Sequence, residues 1–251
     1  MPTAQDYYFD EEENKSRSID ISSMQLPEVG EDLKIVNPLD PFRLEWNLAI
    51  ECKKGKSNWV FFPVKDYYPD ISGQYFCFLQ DEREFTLLSH LIGPGFGHYK
   101  QRDHLASTYV QLPLGRKEQK NEILEAIMQL VKYISYTKHQ MMERIANLDS
   151  SEFIMHLWFP IIVFDGQIWD VFIEKGEISK VVETNHTLLK MQYRSTYTQE
   201  ERYFIIDIVR RSYFPELLTL ISNDIGFYES DIIKNKDDLL TRFKWDSRRF
   251  V

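Results

Sequence analysis

Residues 44–62 read LEWNLAIECKKGKSNWVFF, and the reading of that stretch decides the fold. Alternation over 47–52 predicts a strand with Leu48, Ile50 and Cys52 on one face. Glu51 and Lys53 lie side by side on the opposite face, where the strand runs out of apolar residues. A carboxylate at such a place can hold a hard divalent cation, and an ammonium two residues on can orient a water or neutralise charge on a phosphate. The plainer reading of the same pair is a surface ion pair of little energetic weight. The following segment, WVFFPV at 59–64, has no polar alternation and reads as a strand buried on both faces, ended or edged by Pro63.

The chain around it has 251 residues, 43% hydrophobic and 14% aromatic, enough for one large domain with a sizeable core. Its net charge of −9 argues against a protein that coats nucleic acid through bulk positive charge, but leaves room for a local basic groove. Cys52 and Cys77 make neither a disulfide framework nor a zinc cluster. Both sit among apolar residues, so buried free thiols and a reducing cytoplasm are expected. The acidic opening MPTAQDYYFDEEENK lacks a signal-peptide core, and the apolar run 153–164 is too short to span a bilayer and is interrupted by His156 and Pro160.

Outward from the central strand, 6–10 and 16–24 predict a hairpin, with Ile19 and Ile21 pointing one way and Asp20 the other. Residues 27–41 form a polar loop region, and 42–46 lead into the central strand. Residues 66–115, with the glycine-rich GPGFGHYKQRDH at 93–104, read as an insertion of short helices and loops. Between 118 and 148, Ile123, Leu124, Ile127, Leu130, Val131, Ile134, Met141 and Ile145 recur at helical spacing and predict a helix long enough to cross a sheet. An apolar strand at 153–164 follows, then a tight turn at Asp165-Gly166 and a meander through 167–193. A strand at 203–209 and a helix at 214–221 complete the domain, leaving a charged, peripheral tail from 223. The expected domain therefore spans 1–222: an α/β or α+β fold with a mixed central sheet, a helix packed across it, and a 223–251 tail.

Four pieces carry a family likeness: KSRSIDI (15–21), LAIECKKGKSNWVFF (48–62), FPIIVFDGQIWDVF (159–172) and YFIIDIVRRSYF (203–214). Together they resemble the PD-(D/E)xK nuclease superfamily, the restriction-endonuclease-like fold, and within it a group of microbial proteins sharing the nuclease core. In that superfamily a hairpin carries a metal-binding Asp on its second strand, and the next strand carries (D/E)xK. The resemblance implies that Asp20 is the Asp, Glu51 the second carboxylate and Lys53 the lysine. Ile19 stands where the motif has its proline, and a strand is expected close to Met1 where the fold usually opens with a helix.

Phosphodiester hydrolysis needs a cation to screen the phosphate, a deprotonated water, and stabilisation of the extra transition-state charge. Asp20, Glu51 and the backbone carbonyl of Cys52 could coordinate one Mg²⁺ or Mn²⁺, with Lys53 beside the attacking water or the scissile phosphate. Without a cation the two carboxylates repel, and at least one pKa rises. Lys54 and Lys56 are candidate phosphate contacts or a solvated turn. Arg17 either reaches a phosphate or pairs with the acidic residues at 11–13. The segment 93–97 lacks the Gly-Lys-Ser/Thr of a nucleotide cradle. His90, His98 and His104 do not have helical metal spacing, and His139 and His156 read as structural. Arg210 and Arg211 either line a groove or flank a helix. Asp207, among apolar neighbours, is either a buried hydrogen-bonded carboxylate or part of the site.

The expected function is a metal-dependent DNA nuclease, an endonuclease of a prokaryotic cell. The alternative is a non-catalytic nucleic-acid- or protein-binding module that kept the fold. A third reading, a subunit of a larger complex, would draw on a patch of Tyr67, Tyr68 and Tyr75. A homodimer is a further partner to consider, since restriction-like enzymes often pair to cut both strands.

Overall fold

A computed structural model describes residues 2–10, 13–25, 42–55, 57–65, 75–78, 97–100, 104–113, 121–145, 153–197 and 201–248. The chain opens on a hairpin of β1 (Pro2–Asp10) and β2 (Lys15–Gln25), turned through Asn14 at φ 50°. Asn is among the few residues that take this left-handed conformation at low cost. β3 (Phe42–Lys54) and β4 (Ser57–Lys65) follow, then β5 (Tyr75–Phe78), a single helical turn α1 (Gly97–Lys100) and β6 (His104–Pro113). After helix α2 (Glu122–Ile145) come β7 (Phe153–Asp165), β8 (Ile168–Glu174), β9 (Glu177–Thr184), β10 (His186–Arg194) and β11 (Glu201–Arg210). A 3₁₀ turn, Arg211–Tyr213, leads into helix α3 (Phe214–Arg248).

These strands make one mixed, eleven-stranded sheet in the order β1-β2-β3-β7-β11-β10-β6-β4-β8-β9, with β5 attached to β7. Its spine is the parallel pair β3 and β7, in register from Phe42 opposite Phe153 to Lys54 opposite Asp165. Parallel strands need a crossover, and α2 lies in the connection between them. On its other edge β7 is shared between β11, parallel from Ile161 to Phe164, and β5, antiparallel from Ile154 to Leu157.

α2 starts where Asn121 caps it: the Asn121 side-chain oxygen accepts the Leu124 N–H at 3.0 Å. Glu122 and Glu125 in the first turn suit the positive end of the helix dipole. Its stripe Ile123, Ala126, Ile127, Leu130, Val131 and Ile134 is fully buried in the same cluster as Ala49, Trp158, Phe164 and Ile206 of the sheet. Burial of each aliphatic side chain of this kind contributes about 1.5–3 kcal/mol. The opposite sheet face carries α3, where the Trp46 ring lies 5.9 Å from that of Tyr228 and the Trp46 indole N–H donates to Glu229 at 3.3 Å.

Several expectations change. Strand β3 begins at Phe42, five residues before the predicted start. Residues 104–113, expected as loops and short helices, form β6, which sits inside the sheet between β10 and β4. Its outward residues Ser107 and Thr108 are exposed, which hides the strand among polar letters. The segment from 223 continues the helix begun at Phe214. Asp165-Gly166 does not close a hairpin, because β7 and β8 are not paired with each other; β8 pairs with β4 and β9.

The chain instead turns a shared corner there. Gly55, between β3 and β4, donates its N–H to Asp165 O at 3.3 Å, and Trp59 donates to Gln167 O at 3.0 Å. The sheet's path from β7 through β11, β10 and β6 returns to β4 at this same corner. Trp59 and Phe164 stack across it at 3.9 Å and 12°. A Cβ on Gly55 would come within 2.7 Å of Asp165 O and 2.8 Å of Gly166 Cα, so the close approach of the two chains requires glycine. Pro63 sits at a register shift in β4, where a missing N–H is tolerated.

Candidate active site at the end of the third strand

The corner fixes the end of β3, and β3 presents Glu51 and Lys53 there. These two side chains share a face with Ala49, which belongs to the core under α2. The pair therefore lies on the helix-covered side of the sheet rather than on an open surface, as the alternation had suggested. Glu51 is 3% exposed. Its Oε1 accepts a hydrogen bond from the Lys53 ammonium at 2.6 Å, while Oε2 is buried with no partner among the described residues. Lys53 donates also to Gln129 Oε1 of α2 at 3.1 Å, so strand and helix together hold the ammonium.

Burial pushes the Glu51 carboxyl up to about 7; Lys53 opposes the shift and the charge of Asp20 adds to it. A carboxylate in this setting gains from any cation brought to its free oxygen. The β2–β3 ladder runs only as far as Ile21 opposite Ile50, one residue short of Asp20. Beyond its end the Asp20 carboxylate takes over, with Oδ2 accepting the Cys52 N–H at 2.7 Å. Asp20, Glu51 and Lys53 are thus brought together. Among the described residues, no group of three or more His, Cys, Asp or Glu side chains is arranged to hold a metal ion.

Cys52, expected in the core, is exposed. It shares the alternate face with Trp46, where α3 lies, but those contacts are six residues back, roughly 20 Å along the strand. Partial desolvation by the atoms around its sulfur, then the charge of Asp20, raises its thiol pKa. The Cys77 side chain and Lys56 lie outside the described residues, and Lys54 is exposed. Arg17 donates to Asp10 at 2.8 Å and to Glu13, so it pairs within its own hairpin. Asp10 is also bound by the Lys132 ammonium of α2, at 3.0 and 3.2 Å, and this contact with Arg17 holds its pKa low against burial.

Sequence reasoning missed Gln129 and Lys132. Their signal was present: polar residues within the buried helix stripe demand partners on the sheet.

A second polar cluster lies on the α3 side. Asp207, fully buried, accepts from His186 Nε2 at 2.8 Å and from the Tyr99 hydroxyl at 3.2 Å, and lies 3.5 Å from His98 Nε2. His98 Nδ1 is 2.5 Å from Asp224 of α3. Of the two readings of Asp207, the structure bears out the buried, hydrogen-bonded carboxylate. His90, residues 93–96, Tyr67 and Tyr68 lie outside the described residues, as does the Tyr75 side chain. His104 sits 3.5 Å from Asp170, His139 3.4 Å from Glu143 and His156 3.0 Å from Glu45. Arg210 pairs with Glu183 at 2.8 Å, and the exposed Arg211 is 4.0 Å from Asp165.

Comparison with family models, curated proteins and solved structures finds no match to this chain. No helix among the described residues is long and apolar enough to cross a membrane.

Proposed function

We propose that the chain is a Mg²⁺- or Mn²⁺-dependent nuclease of the restriction-endonuclease-like fold, hydrolysing phosphodiester bonds in DNA. The observation that carries this reading is the buried Oε2 of Glu51, without a partner among the described residues, beside a lysine held by strand and helix. The placement of Asp20 on the second strand of a hairpin, with Glu51 and Lys53 on the next strand, supports it.

The donor set fits a hard cation: two carboxylates, Asp20 and Glu51, and the Cys52 carbonyl, all oxygen. When bound, the cation would screen the phosphate and lower the pKa of a water. Lys53, already donating to Glu51, has the charge and reach to orient that water or to neutralise charge growing on the phosphate. Gln129 keeps the ammonium on the strand side of the helix, so it is a positioning residue. Exposed Lys54 is a further phosphate contact in this reading, and Lys56 would be another. The same proposal places the protein in a reducing cytoplasm, which agrees with a free, exposed Cys52.

A second reading is a non-catalytic binding module. It is favoured by the closed state of the site, with Lys53 paired to Glu51 and Asp20 occupied by the Cys52 amide. Cleavage of supercoiled, linear and single-stranded DNA with Mg²⁺ or Mn²⁺ separates the two. The nuclease reading expects metal-dependent cutting that falls about a hundredfold or more in Asp20→Ala and in Lys53→Ala. Cutting that survives both substitutions, or none on any substrate, contradicts it.

A further inference from the structure

Next to the Glu51–Lys53 pair, under the first turns of α2, lies a cavity of about 350 Å³. The two share structure. Gln129 lines the cavity and accepts from Lys53. Tyr8 lines it too, and lies within electrostatic reach of Glu51 as well as of Asp10. Tyr8 is 2% exposed, yet its hydroxyl has no hydrogen-bond partner among the described residues. A buried hydroxyl left unpaired costs about 1–3 kcal/mol, and the cavity beside it is lined by groups that a polar ligand could meet.

The charge lining the cavity tells what that ligand is. Lys15, Arg17 and Lys132 face Asp10, Glu13 and Glu125, so cations and carboxylates balance. The cations are engaged: Lys132 with Asp10 at 3.0 Å, Arg17 with Asp10 and Glu13, Lys15 with Glu13. A free phosphate would have to approach three carboxylates, so the cavity suits a neutral group rich in donors and acceptors. Its volume is near the lower end of the roughly 300–1,000 Å³ of small-molecule sites and fits one nucleoside unit. Met128 and Leu124 give it an apolar wall, and the Gln129 amide can both donate and accept at a base edge.

We infer that this cavity is a nucleoside subsite that receives one unpaired base and its sugar from the strand whose phosphate lies at Glu51 and Lys53. A base in a stacked duplex cannot enter a cavity of this kind without leaving its pair. The protein is therefore selective for single-stranded, bulged or terminal nucleotides over fully paired duplex. This assignment rests on the nuclease reading for its substrate, but its binding test does not depend on cleavage.

The test is a calorimetric titration of the full chain, without divalent metal, with the four deoxynucleosides and with inorganic phosphate. At least one nucleoside binds and phosphate does not. Leu124→Trp, at an exposed position of the cavity wall, weakens nucleoside binding about tenfold or more, and Met128→Trp does the same from the inner wall. Absence of binding by any nucleoside, or equal binding by wild type and both tryptophan variants, overturns the subsite. Nucleoside binding in a protein that cuts no DNA upholds the subsite and sinks the nuclease reading alone. Equal cleavage of a fully paired duplex and one with a single-nucleotide bulge overturns the inferred selectivity.

Discussion

The Lys53 ammonium sits 2.6 Å from one oxygen of Glu51 and leaves the other oxygen buried without a partner among the described residues. A pair closed on itself for stability alone would satisfy both oxygens. Half-satisfied, it leaves a carboxylate whose ionisation the fold resists, and that resistance has measurable consequences.

The first is in stability. The Glu51 carboxyl rises from an ordinary 4.5 to about 7 in the fold. The protonated form is the one favoured, so its contribution to stability is complete below 4.5 and is lost as pH rises through about 7. The shift corresponds to a contribution on the order of 3 kcal/mol. Glu51→Gln then stabilises the protein at pH 8, by about 1–3 kcal/mol once the lost partner of Lys53 is counted, and the gain shrinks toward pH 5. Urea midpoints of both proteins at pH 8 and pH 5 check this.

On the other face of the sheet the sign works through two groups of opposite charge. Burial alone would lower the His98 pKa, but the charge of Asp207 and hydrogen bonds to Asp207 and Asp224 outweigh it and raise it to about 9. Burial alone would raise Asp207, but His98 and His186 pull it well below the ordinary carboxylate range. His98 therefore stabilises the fold fully below 6.5, and this is lost as pH climbs through about 9. Asp207 stabilises it above its ordinary 3.8, and this is lost as pH falls through the folded value. Asp207→Asn removes one of the two carboxylates that face the buried His98 imidazolium, leaving Asp224, and costs about 3 kcal/mol at pH 7. Chemical unfolding from pH 6 to pH 10 should show the wild-type decline through about 9, and a decline at lower pH in the variant.

At the sheet corner, Gly55→Ala drives a methyl group against the backbone of Asp165 and Gly166, neither of which can yield as a side chain could. The expected cost is about 1–3 kcal/mol. Thermal unfolding measures it. A Tm equal to wild type would mean that the two chains do not approach each other as closely as described.

The strands that carry the site were legible because their letters alternate or run apolar within short, bounded segments: 16–24, 47–52, 59–64, 153–164 and 203–209. The face of Glu51 and Lys53 was misread because Ala49 is too small to mark a buried face against Leu48 and Ile50. Strand β6 was hidden by Ser107, Thr108 and Gln111, polar residues spread over both of its faces that break the apolar alternation. The long α3 left a faint trace: Leu217, Ile221, Asp224 and Tyr228, all buried, recur at helical spacing among charged neighbours. The Asp207 cluster left only the carboxylate itself, odd among apolar neighbours; its histidines lie 109 and 21 residues away, and only the fold brings them together.

The central claim is that the free oxygen of Glu51 is a metal ligand. Titration of Mn²⁺ into wild type and Glu51→Gln, followed by the loss of the free-ion paramagnetic resonance signal at pH 6 and pH 8, tests it most directly. The account predicts that wild type binds Mn²⁺ and does so more tightly at pH 8, where Glu51 is ionised, and that Glu51→Gln binds none at either pH. Equal binding by the two proteins, or no binding by wild type at pH 8, would contradict it.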